Sequence, residues 1–320
     1  MRIGYTMMCE QAGPRQLVRD VVRAEEAGFD FAVISDHYNP WLDAQGHSPY
    51  AWSVLGAAAQ ATERIPLMTY VTNPTVRYHP AIVAQKAATV AVLSEGRFTL
   101  GLGAGENLNE HVVGQGWQPA NVRHEKLIEA VEIIRALFGG GYVDYRGAHF
   151  DVDSAKLWDL PDEPVRIGIA VSGKQSSTLA GEHADLMIAV EPRSELGEMF
   201  DAAGGRGKPR VGQLAVSYGT DRDAAVARAH DQFRWFGLGW KVNAELPGPD
   251  SFEAASQFVT PADVAASIPC GADVRAVVDA VAQFKDAGFT DLALVQIGGD
   301  QQAAFLDWAP KELLPALQEL

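Results

Sequence analysis

Cysteine, positive charge and long apolar runs are all scarce in this sequence of 320 residues. The two cysteines, Cys9 and Cys270, indicate a reducing compartment rather than a fold built on disulfides. Lys and Arg number 26 against 41 Asp and Glu, and the resulting net charge of -15 disfavours nucleic acid and anionic membrane surfaces as partners. No apolar run reaches the roughly 18 residues of a membrane span, and polar residues come too early for a signal peptide. Together these absences predict a cytoplasmic protein.

Several motifs with a known chemical role are also missing. There is no His-x-His or His-Glu-x-x-His sequence, and the two cysteines do not form a CxxC motif, so no metal site is predicted. There is no Gly-x-Ser-x-Gly elbow of a serine hydrolase, and no Gly-Lys-Ser or Gly-Lys-Thr phosphate loop. An active site in this chain therefore has to be built from other side chains.

Short apolar runs rich in β-forming residues alternate with longer amphipathic segments along the chain. Eight of these runs are predicted strands, at residues 3–8, 31–35, 66–72, 98–103, 165–171, 186–190, 211–218 and 292–297. Nine amphipathic segments are predicted helices, at residues 14–27, 50–61, 80–93, 123–137, 174–183, 194–203, 221–235, 274–287 and 301–317. Strands that alternate with helices eight times favour one (β/α)8 TIM barrel over residues 1–320, and a doubly wound open sheet remains the alternative.

Two stretches interrupt the alternation. Residues 237–267, in which Gly, Pro and Asn are scattered, are predicted to form an irregular insertion that ends in a short helix at residues 261–267. Residues 139–153 are predicted to form a second irregular excursion. On a barrel, insertions after the C-terminal ends of strands commonly form the wall of the active site.

The first group of candidate functional residues is the sequence SDHYNPW at residues 35–41, which follows the second predicted strand. Barrel enzymes place their sites at this end of the strands. His37 is the side chain best suited to proton transfer near neutral pH, and alternation at the strand end predicts that Asp36 and His37 point in different directions. The alternative is a histidine that caps a helix or fills the core beside a turn at Asn39-Pro40.

The second group is the glycine-rich sequence GLGAGENLNE at residues 101–110, after the fourth predicted strand. Its glycines permit positive φ and the close approach of a ligand or another backbone. The spacing differs from the dinucleotide fingerprint, because Glu106 stands where that motif needs glycine. Glu106 is a candidate acid or base and Asn109 a candidate polar clamp. The alternative is a tight turn with a solvated carboxylate.

The third group is the sequence VSGKQSS at residues 171–177, which follows the fifth predicted strand. A small turn rich in hydroxyl groups that opens a helix can bind an anion through its free backbone N–H groups. The same sequence also fits an ordinary helix N-cap, and the motif taken alone favours that interpretation.

Three segments taken together resemble one known family. The segments at residues 35–41, 75–80 (TVRYHP) and 103–110 (GAGENLNE) are similar, in this order, to the coenzyme F420-dependent glucose-6-phosphate dehydrogenase group of the bacterial luciferase-like superfamily. The resemblance covers essentially the whole chain, and the order of the three segments makes it specific. It implies a (β/α)8 barrel with the deazaflavin F420 bound at the C-terminal ends of the strands, in agreement with the strand count.

The resemblance also implies roles for individual residues. His37 would take the proton of the substrate hydroxyl while hydride moves to the deazaflavin, Trp41 would support the developing charge, and Glu106 would transfer a proton at the cofactor ring. A cis peptide bond without proline is expected behind the ring, between Tyr70 and Val71. The expected cofactor contacts are Asp36, Tyr70, Val71, Asn73, Ala104, Gly105, Asn109, Ser172, Gly173, Gln175 and Ser176.

The positions expected to bind a substrate phosphate depart from the family pattern. The family uses two lysines and an arginine; here the first lysine position holds Arg193 and the second aligns with Lys241. The arginine position holds Ser267, and Val190 replaces a threonine near the phosphate. Two cations can still bind a phosphate, because a bidentate arginine is a strong anion ligand. Among the cofactor contacts, Asn73 stands in place of a threonine.

The sequence therefore predicts an F420-dependent oxidoreductase that oxidises the anomeric hydroxyl of a sugar phosphate, with glucose 6-phosphate as the leading substrate. One alternative is an F420-dependent dehydrogenase or reductase for an unphosphorylated alcohol, which Ser267 and Val190 favour. Another is an FMN-dependent luciferase-like monooxygenase on the same scaffold. A protein that only carried the cofactor would not need His37, Trp41 and Glu106 together. The family's habit of dimerising suggests a homodimer, and the acidic surface is compatible with a monomer as well.

Overall fold

The computed structural model describes all 320 residues and contains a closed barrel of eight parallel strands, as the sequence predicts. In chain order the strands are β1 (Arg2–Met7), β2 (Phe31–Ile34), β3 (Leu67–Thr69), β4 (Phe98–Leu102), β5 (Val143–Arg146), β6 (Asp151–Ala155), β7 (Arg166–Ala170), β8 (Leu186–Ala189), β9 (Arg210–Val216) and β10 (Asp291–Gln296). The barrel order is β1-β2-β3-β4-β7-β8-β9-β10, and β10 closes it by pairing with β1. β5 and β6 form an antiparallel hairpin outside the barrel. The open-sheet alternative is excluded.

Helices cover the outer face of the barrel and extend over its C-terminal end. They are α1 (Pro14–Ala27), α2 (Ala51–Ala61), α3 (Pro80–Leu93), α4 (Asn107–Glu110), α5 (Ala120–Phe138), α6 (Lys174–His183), α7 (Ser194–Phe200), α8 (Arg222–Phe233), α9 (Trp240–Asn243), α10 (Pro249–Ala255), α11 (Pro261–Ser267), α12 (Val274–Asp286), α13 (Gln302–Trp308) and α14 (Leu314–Gln318). None of them combines the length and the apolar character that crossing a membrane requires. α1, α3, α6 and α11 have the predicted boundaries.

Local sequence explains where these helices begin and end. Pro14 and Pro80 occupy first turns, where a backbone N–H has no partner within the helix. Asp221 and Asp273 precede α8 and α12 and accept hydrogen bonds from backbone N–H groups of the first turn. The predicted helix 301–317 is instead divided into α13 and α14 by a wider turn that contains Pro310, which has no N–H to donate.

The barrel separates three groups of buried side chains. The largest lies between the strands and the surrounding helices. A smaller group fills the barrel interior and comes from alternate strand positions, such as Phe31, Val33 and Ile188. The third group joins Trp41 to Trp235 and to residues of the helices after β9. The C-terminal mouth of the barrel therefore has an apolar cap on the side of α8 to α11.

The two stretches expected to be irregular contain regular structure. Residues 237–267 hold α9 and α10 as well as the predicted α11. α9 has only four residues, and Gly239 and Gly248 stand directly before α9 and α10, so these two helices resemble irregular chain in the sequence. Residues 139–153 hold most of the β5–β6 hairpin. In both stretches the structure differs from the expected irregular path.

Candidate active site

The C-terminal ends of β1 to β4 bring polar side chains to one side of the barrel mouth. Glu10 lies in the turn after β1, Asp36 and His37 follow β2, Asn73 follows β3, and Glu106 follows β4. Because parallel strands of a barrel all end at the same rim, residues that are far apart in the sequence become neighbours there. This is the position that the sequence predicts for the active site.

His37 is held between two carboxylates. Its Nδ1 lies 2.5 Å from Oε1 of Glu10, and its Nε2 lies 3.5 Å from Oε1 of Glu106. Glu10 is 1% exposed, and its second oxygen accepts a hydrogen bond of 2.6 Å from the hydroxyl of Ser35. Glu10 therefore fixes one nitrogen of the imidazole ring, and Nε2 is the nitrogen directed toward Glu106.

The two carboxylates stabilise the charged form of His37. Burial by itself lowers the pKa of His37, but the charge of Glu10, its contact with Nδ1 and the charge of Glu106 outweigh burial and raise the pKa to about 9. Burial raises the pKa of Glu10, and the charge of His37 together with hydrogen bonds from His37 and Ser35 brings it below its ordinary value. His37 is therefore an imidazolium at neutral pH in the free protein.

Trp41 forms an aromatic wall beside His37. The two rings meet edge to face with their centroids 5.1 Å apart. Trp41 also stacks on Trp235, with a centroid distance of 4.0 Å and 7° between the ring planes, and Phe252 meets it edge-on at 5.1 Å. Since Trp235 follows α8 and Phe252 lies in α10, the helices after β9 hold Trp41 in place against His37.

Asn109 of α4 places the carboxylate of Glu106. Its amide nitrogen donates a hydrogen bond to Oε1 of Glu106. Its oxygen accepts hydrogen bonds from the backbone N–H groups of Tyr38 and Asn39, at 2.7 and 3.0 Å. Asn109 is fully buried and so ties the loop after β2 to the loop after β4. It acts here as a clamp that sets Glu106 relative to His37, and its contact with a cofactor stays a prediction.

Asp36 points away from His37, as strand alternation predicts. Its carboxylate is fully buried and accepts hydrogen bonds from the Trp52 ring at 3.1 Å, the Thr72 hydroxyl at 2.7 Å and the Tyr78 hydroxyl at 3.1 Å. These donors occupy both carboxylate oxygens. In the structure, Asp36 holds the segments after β3 against the end of β2, and its predicted contact with a cofactor is not tested by these contacts.

Arg77 connects Asp36 to a second buried carboxylate. Its guanidinium lies 3.6 Å from Oδ1 of Asp36 and donates to Oε1 of Glu110 at 2.9 Å, while its backbone N–H donates to Oε2 of Glu110 at 3.0 Å. Burial raises the pKa of Glu110 to about 7, opposed by the charge of Arg77 and helped by the charge of Glu106. Two carboxylates and one guanidinium thus form a buried network next to the His37 pair.

The ends of β3 and β4 form the floor of the mouth. The peptide bond between Tyr70 and Val71 is cis, as the family resemblance implies. A Cβ atom on Gly103 would lie 2.7 Å from Cγ2 of Val71, so only glycine lets the Val71 side chain lie there. Val71, Ala170 and Val190 are partly buried above the interior side chains of the barrel. They give the floor an apolar surface.

Gly105 and Asn73 form a polar edge beside this floor. Gly105 has a φ of 76°, and a Cβ atom there would collide with the amide nitrogen of Asn73. The Asn73 oxygen accepts hydrogen bonds from the backbone and the hydroxyl of Thr75, at 2.8 and 2.7 Å, but its amide nitrogen is buried without a partner. An unpaired buried donor costs about 1–3 kcal/mol. This nitrogen is therefore a donor that a bound group could satisfy.

Comparison with known families places the chain. The model described as luciferase-like monooxygenase matches residues 1–291. The chain belongs to the bacterial luciferase-like family. The (β/α)8 barrel and the cis peptide bond after β3 agree with what the resemblance in the sequence implies.

Relatives within this luciferase-like family share a cofactor in their names and differ in substrate. The F420-dependent glucose-6-phosphate dehydrogenase of Intrasporangium calvum is 34% identical, over 100% of both chains. The F420-dependent hydroxymycolic acid dehydrogenase of Mycobacterium tuberculosis is 35% identical, over 99% of this chain and 88% of the relative. A solved F420-dependent secondary alcohol dehydrogenase, in complex with an F420-acetone adduct, has a TM-score of 0.89 and 28% identity, over 99% of this chain and 98% of its own.

The turn that opens α6 in this luciferase-like barrel is partly occupied by its own hydroxyl group. Oγ of Ser176 accepts hydrogen bonds from the N–H groups of Ser172 and Gly173, at 3.0 and 3.2 Å, and donates to the Gly173 carbonyl at 3.0 Å. Ser172 and Gln175 are exposed, while Ser176 is buried. Ser176 thus caps the turn, and the cofactor contacts expected at these residues stay predictions.

The residues expected to bind a phosphate lie after β8 and in the helices after β9, in a different electrostatic setting. Nε of Arg193 lies 2.7 Å from Glu195 and Nη1 lies 3.5 Å from Glu191, and the Arg193 side chain is 42% exposed. Lys241 of α9 is exposed. Ser267 is exposed, and its hydroxyl donates to a backbone carbonyl one turn back in its own helix. Two carboxylates thus already neutralise the one arginine of the expected set.

Three residues that shape the site escape the sequence analysis. Glu10 is an acidic residue just after β1, and that position on a barrel is the only signal that could have marked it. Arg77 lies inside the TVRYHP segment, which the sequence analysis uses only as a family marker. Trp235 is the last residue of the predicted helix 221–235, and no local pattern shows that it stacks on Trp41.

Proposed function

We propose that this chain is a coenzyme F420-dependent oxidoreductase that oxidises an alcohol carbon, with a sugar phosphate such as glucose 6-phosphate as the leading substrate. The observation that carries the proposal is His37, held at Nδ1 by Glu10 and directed at Nε2 toward Glu106 at the barrel mouth. Relatives that are 34% and 35% identical over nearly the whole chain have F420 in their names, which supports the cofactor.

The residues around the mouth fit a flat ring with a polar edge. The apolar floor at Val71 suits the face of such a ring, and the buried nitrogen of Asn73, beside the Gly105 backbone, lacks an acceptor. We assign the ring to Val71, Asn73, Ala104 and Gly105, and the rest of the cofactor to the turn at residues 172–176. When bound, F420 supplies the acceptor or donor of a hydride.

In this reaction His37 handles the proton of the substrate hydroxyl. Removing hydride from an alcohol leaves a carbonyl only when the hydroxyl proton also departs, so a base must lie within hydrogen-bond reach. Neutral His37 accepts that proton at Nε2, and Glu10 stabilises the imidazolium that results. In the opposite direction the imidazolium donates its proton to a carbonyl oxygen, and this is the form that the free protein holds at neutral pH.

Glu106 and Trp41 complete the set. Glu106 lies on the Nε2 side of His37 and is held there by Asn109. A carboxylate in this fixed position suits proton exchange with the cofactor ring. Trp41, packed between His37 and Trp235, keeps water away from one side of the imidazole. Both roles rest on position next to His37.

An unphosphorylated alcohol is the second candidate substrate. Arg193 is already paired with Glu191 and Glu195, and Ser267 contributes no charge. A phosphate group would have to compete with two carboxylates for the same guanidinium, in a protein of net charge -15. Relatives named for hydroxymycolic acid and for a secondary alcohol support this candidate.

We also propose that the enzyme forms a homodimer through α3. Most residues of this helix are apolar, and it exposes Ile82, Val92 and Leu93. Gln85 and Thr89 are exposed on the same helix, so its outer face mixes apolar and polar side chains, and a second copy of the chain would cover this face. Analytical ultracentrifugation should find a dimer, and Val92→Glu should shift it toward monomer. A wild-type monomer at micromolar concentration would contradict the proposal.

The cysteines support a cytoplasmic location for the enzyme. Cys9 and Cys270 are both buried free thiols, and burial raises the pKa of each. Unpaired thiols fit a reducing compartment. Fractionation of cells that express the tagged protein tests this location, and recovery outside the cytoplasmic fraction would contradict it.

The direct test of the proposed function is the absorbance of oxidised F420 mixed with the purified protein. Glucose 6-phosphate, free glucose and 2-propanol are supplied in parallel. Bleaching with glucose 6-phosphate alone supports the leading substrate, and bleaching with an unphosphorylated alcohol alone supports the second candidate. A protein that fails to bind F420, carries a yellow flavin and consumes oxygen is an FMN-dependent monooxygenase, and the proposal is then wrong.

A further inference from the structure

Arg123 is a buried charged side chain beside the loop of Glu106, and the reaction as described leaves it without a role. It lies in the first turn of α5, and its side chain is 6% exposed. Burial lowers the pKa of Arg123, and the charges of Glu245 and Glu106 oppose this effect. A buried guanidinium is retained only where specific partners compensate for the loss of water.

The partners of Arg123 come from three different segments. Its Nη1 donates a hydrogen bond of 3.2 Å to the carbonyl oxygen of Gly105, and its Nη2 donates one of 2.9 Å to Oε1 of Glu245. The guanidinium carbon lies 4.1 Å from the centroid of the Trp117 ring, within the range of a cation–π contact. Arg123 thus links α5, the loop after β4 and the segment after α9.

The segment after α9 also contacts the loop after β4 directly. The backbone N–H of Asn107 donates to the carbonyl of Ala244 at 3.0 Å. The side-chain amide of Asn107 donates to the carbonyl of Glu245, also at 3.0 Å. The residue that follows Glu106 is therefore attached to the segment after α9, and Glu245 binds both Asn107, through its backbone carbonyl, and Arg123, through its carboxylate.

The position of the Gly105 carbonyl affects the position of Glu106. The carbonyl of Gly105 and the N–H of Glu106 belong to one planar peptide unit, so a bond that fixes the oxygen also fixes how the chain enters Glu106. Gly105 has a φ of 76°, and because glycine has no side chain its backbone can adopt other conformations at little steric cost. A charge-assisted hydrogen bond from a buried arginine opposes that rotation.

We propose that Arg123 is a positioning residue, which holds the Gly105–Glu106 peptide unit and, through Glu245, couples the helices after β9 to the Glu106 carboxylate. The inference rests on the proposed function, because it gives Glu106 a proton to transfer. Arg123 touches neither substrate nor cofactor in this scheme. It acts by keeping Glu106 at a constant position relative to His37.

The first experiment measures backbone hydrogen exchange in the protein without cofactor. Arg123→Lys keeps the charge but cannot hold Gly105 and Glu245 together with a planar fork, and Glu245→Gln removes the charge of the partner. Both variants are expected to exchange roughly tenfold faster than the wild type at residues 104–110 and 240–246. Arg135→Lys is the matched control, since Arg135 lies on the same helix and pairs with Asp185 at a half-exposed position. Unchanged exchange in both variants would overturn the proposal.

The second experiment separates positioning from mere folding. Arg123→Lys should lower kcat roughly tenfold and alter the pH dependence of kcat, and the increase in the Kd for F420 should be the smaller effect, although Ala104 and Gly105 of the same loop are assigned to the cofactor ring. The double variant Arg123→Lys/Glu245→Gln should be no slower than Arg123→Lys, because the two residues act as one unit. A tenfold loss of F420 affinity with unchanged kcat, or additive losses in the double variant, would contradict the proposal.

The two experiments distinguish a failure of this inference from a failure of the proposed function. If the wild type turns over no alcohol with F420, the proposed function fails, and hydrogen exchange still decides whether Arg123 holds the loop. If exchange increases in the variants but kcat and its pH dependence stay at the wild-type values, Arg123 is a structural residue and the positioning role is wrong.

Discussion

The two sides of the barrel mouth differ in how their charges are held. On the side of β1 to β4, which we call the proton-transfer side, Glu10 and Glu106 are buried, and each faces one nitrogen of His37, whose side chain is 10% exposed. On the opposite side, which we call the recognition side, Arg193 and Lys241 are partly or largely exposed. The side chains are therefore fixed by burial on the side where we propose that a proton moves, and are open to solvent on the side where we propose that the substrate is recognised.

The difference has an energetic cause. Breaking a buried ion pair leaves a charge without water and is strongly destabilising, whereas an exposed pair contributes at most about 1 kcal/mol. Substitutions on the proton-transfer side therefore affect both stability and catalysis. Substitutions on the recognition side can change the substrate with little effect on the fold, which fits a family whose members carry different substrates in their names.

The largest expected effect is on turnover and comes from the proton-transfer side. His37→Ala should lower kcat about a thousandfold, because no other group can exchange the substrate proton at that position. The Kd for F420 should stay nearly unchanged, since His37 contacts Glu10, Glu106 and Trp41. Steady-state kinetics and fluorescence titration measure the two quantities. His47→Ala, an exposed histidine of the loop after β2, is the control, and an equal loss of cofactor binding in His37→Ala would contradict the role.

The next effect is on stability. Arg77→Met should lower the free energy of unfolding by about 3–5 kcal/mol, because Asp36 and Glu110 then remain buried without their cation. Arg146→Met should change it by less than about 1 kcal/mol, since the pair of Arg146 with Asp153 is 3.8 Å long and mostly exposed. Urea unfolding of the two variants measures the difference. Equal losses of unfolding free energy in the two variants would show that the ion pairs of Arg77 stabilise the fold no more than the exposed pair of Arg146.

The pH dependence of the rate tests the charge state of His37. Oxidation needs neutral His37, whose pKa is raised to about 9, so the oxidation rate should rise with pH up to that value, and the rate of carbonyl reduction should fall above it. Glu10→Gln removes the largest charge that raises this pKa. It should therefore shift to lower pH both the rise of the oxidation rate and the fall of the reduction rate. Profiles of kcat against pH measure the shift, and Glu195→Gln is the control. If the pH profiles of Glu10→Gln coincide with those of the wild type, the titrating group is not His37.

The smallest expected effect comes from the recognition side. Arg193→Ala should raise the KM for a phosphorylated sugar roughly tenfold and the KM for the free sugar less than twofold. The reason is that the phosphate is the only part of the substrate that the Arg193 guanidinium is proposed to bind. Glu191→Gln should lower the KM for the phosphorylated sugar, since it leaves Arg193 with one carboxylate fewer. Equal effects of Arg193→Ala on both sugars would remove Arg193 from the phosphate site and leave the unphosphorylated alcohol as the better substrate.

Much of the fold could be predicted because its signals are local. Short apolar runs mark the eight barrel strands, and prolines or aspartates mark several helix starts such as Pro14 and Asp221. His37, Trp41 and Glu106 could be named as candidates because they stand in conspicuous motifs at strand ends, and the structure brings Trp41 and Glu106 next to His37. The helices α9 and α10 escape prediction, because α9 has only four residues and a glycine stands directly before each helix, which is typical of an irregular segment.

The partners of the site residues could not be predicted. Nothing in the sequence around Glu10 connects it to His37, and Trp235 gives no local sign that it stacks on Trp41. Interactions between distant segments depend on the register of the strands and the paths of the loops, which short patterns do not contain.

By itself the sequence determined the class of fold. It also predicted the active site at the C-terminal rim of the barrel and named the side chains that we propose move a proton. These depend on residue type and on spacing within one segment. The tertiary structure decided the charge of His37, the enclosure of Asp36 and the pairing of Arg123 with Glu245. Each of these depends on burial and on the distance between charges from different strands and helices, and only the closed barrel sets those distances.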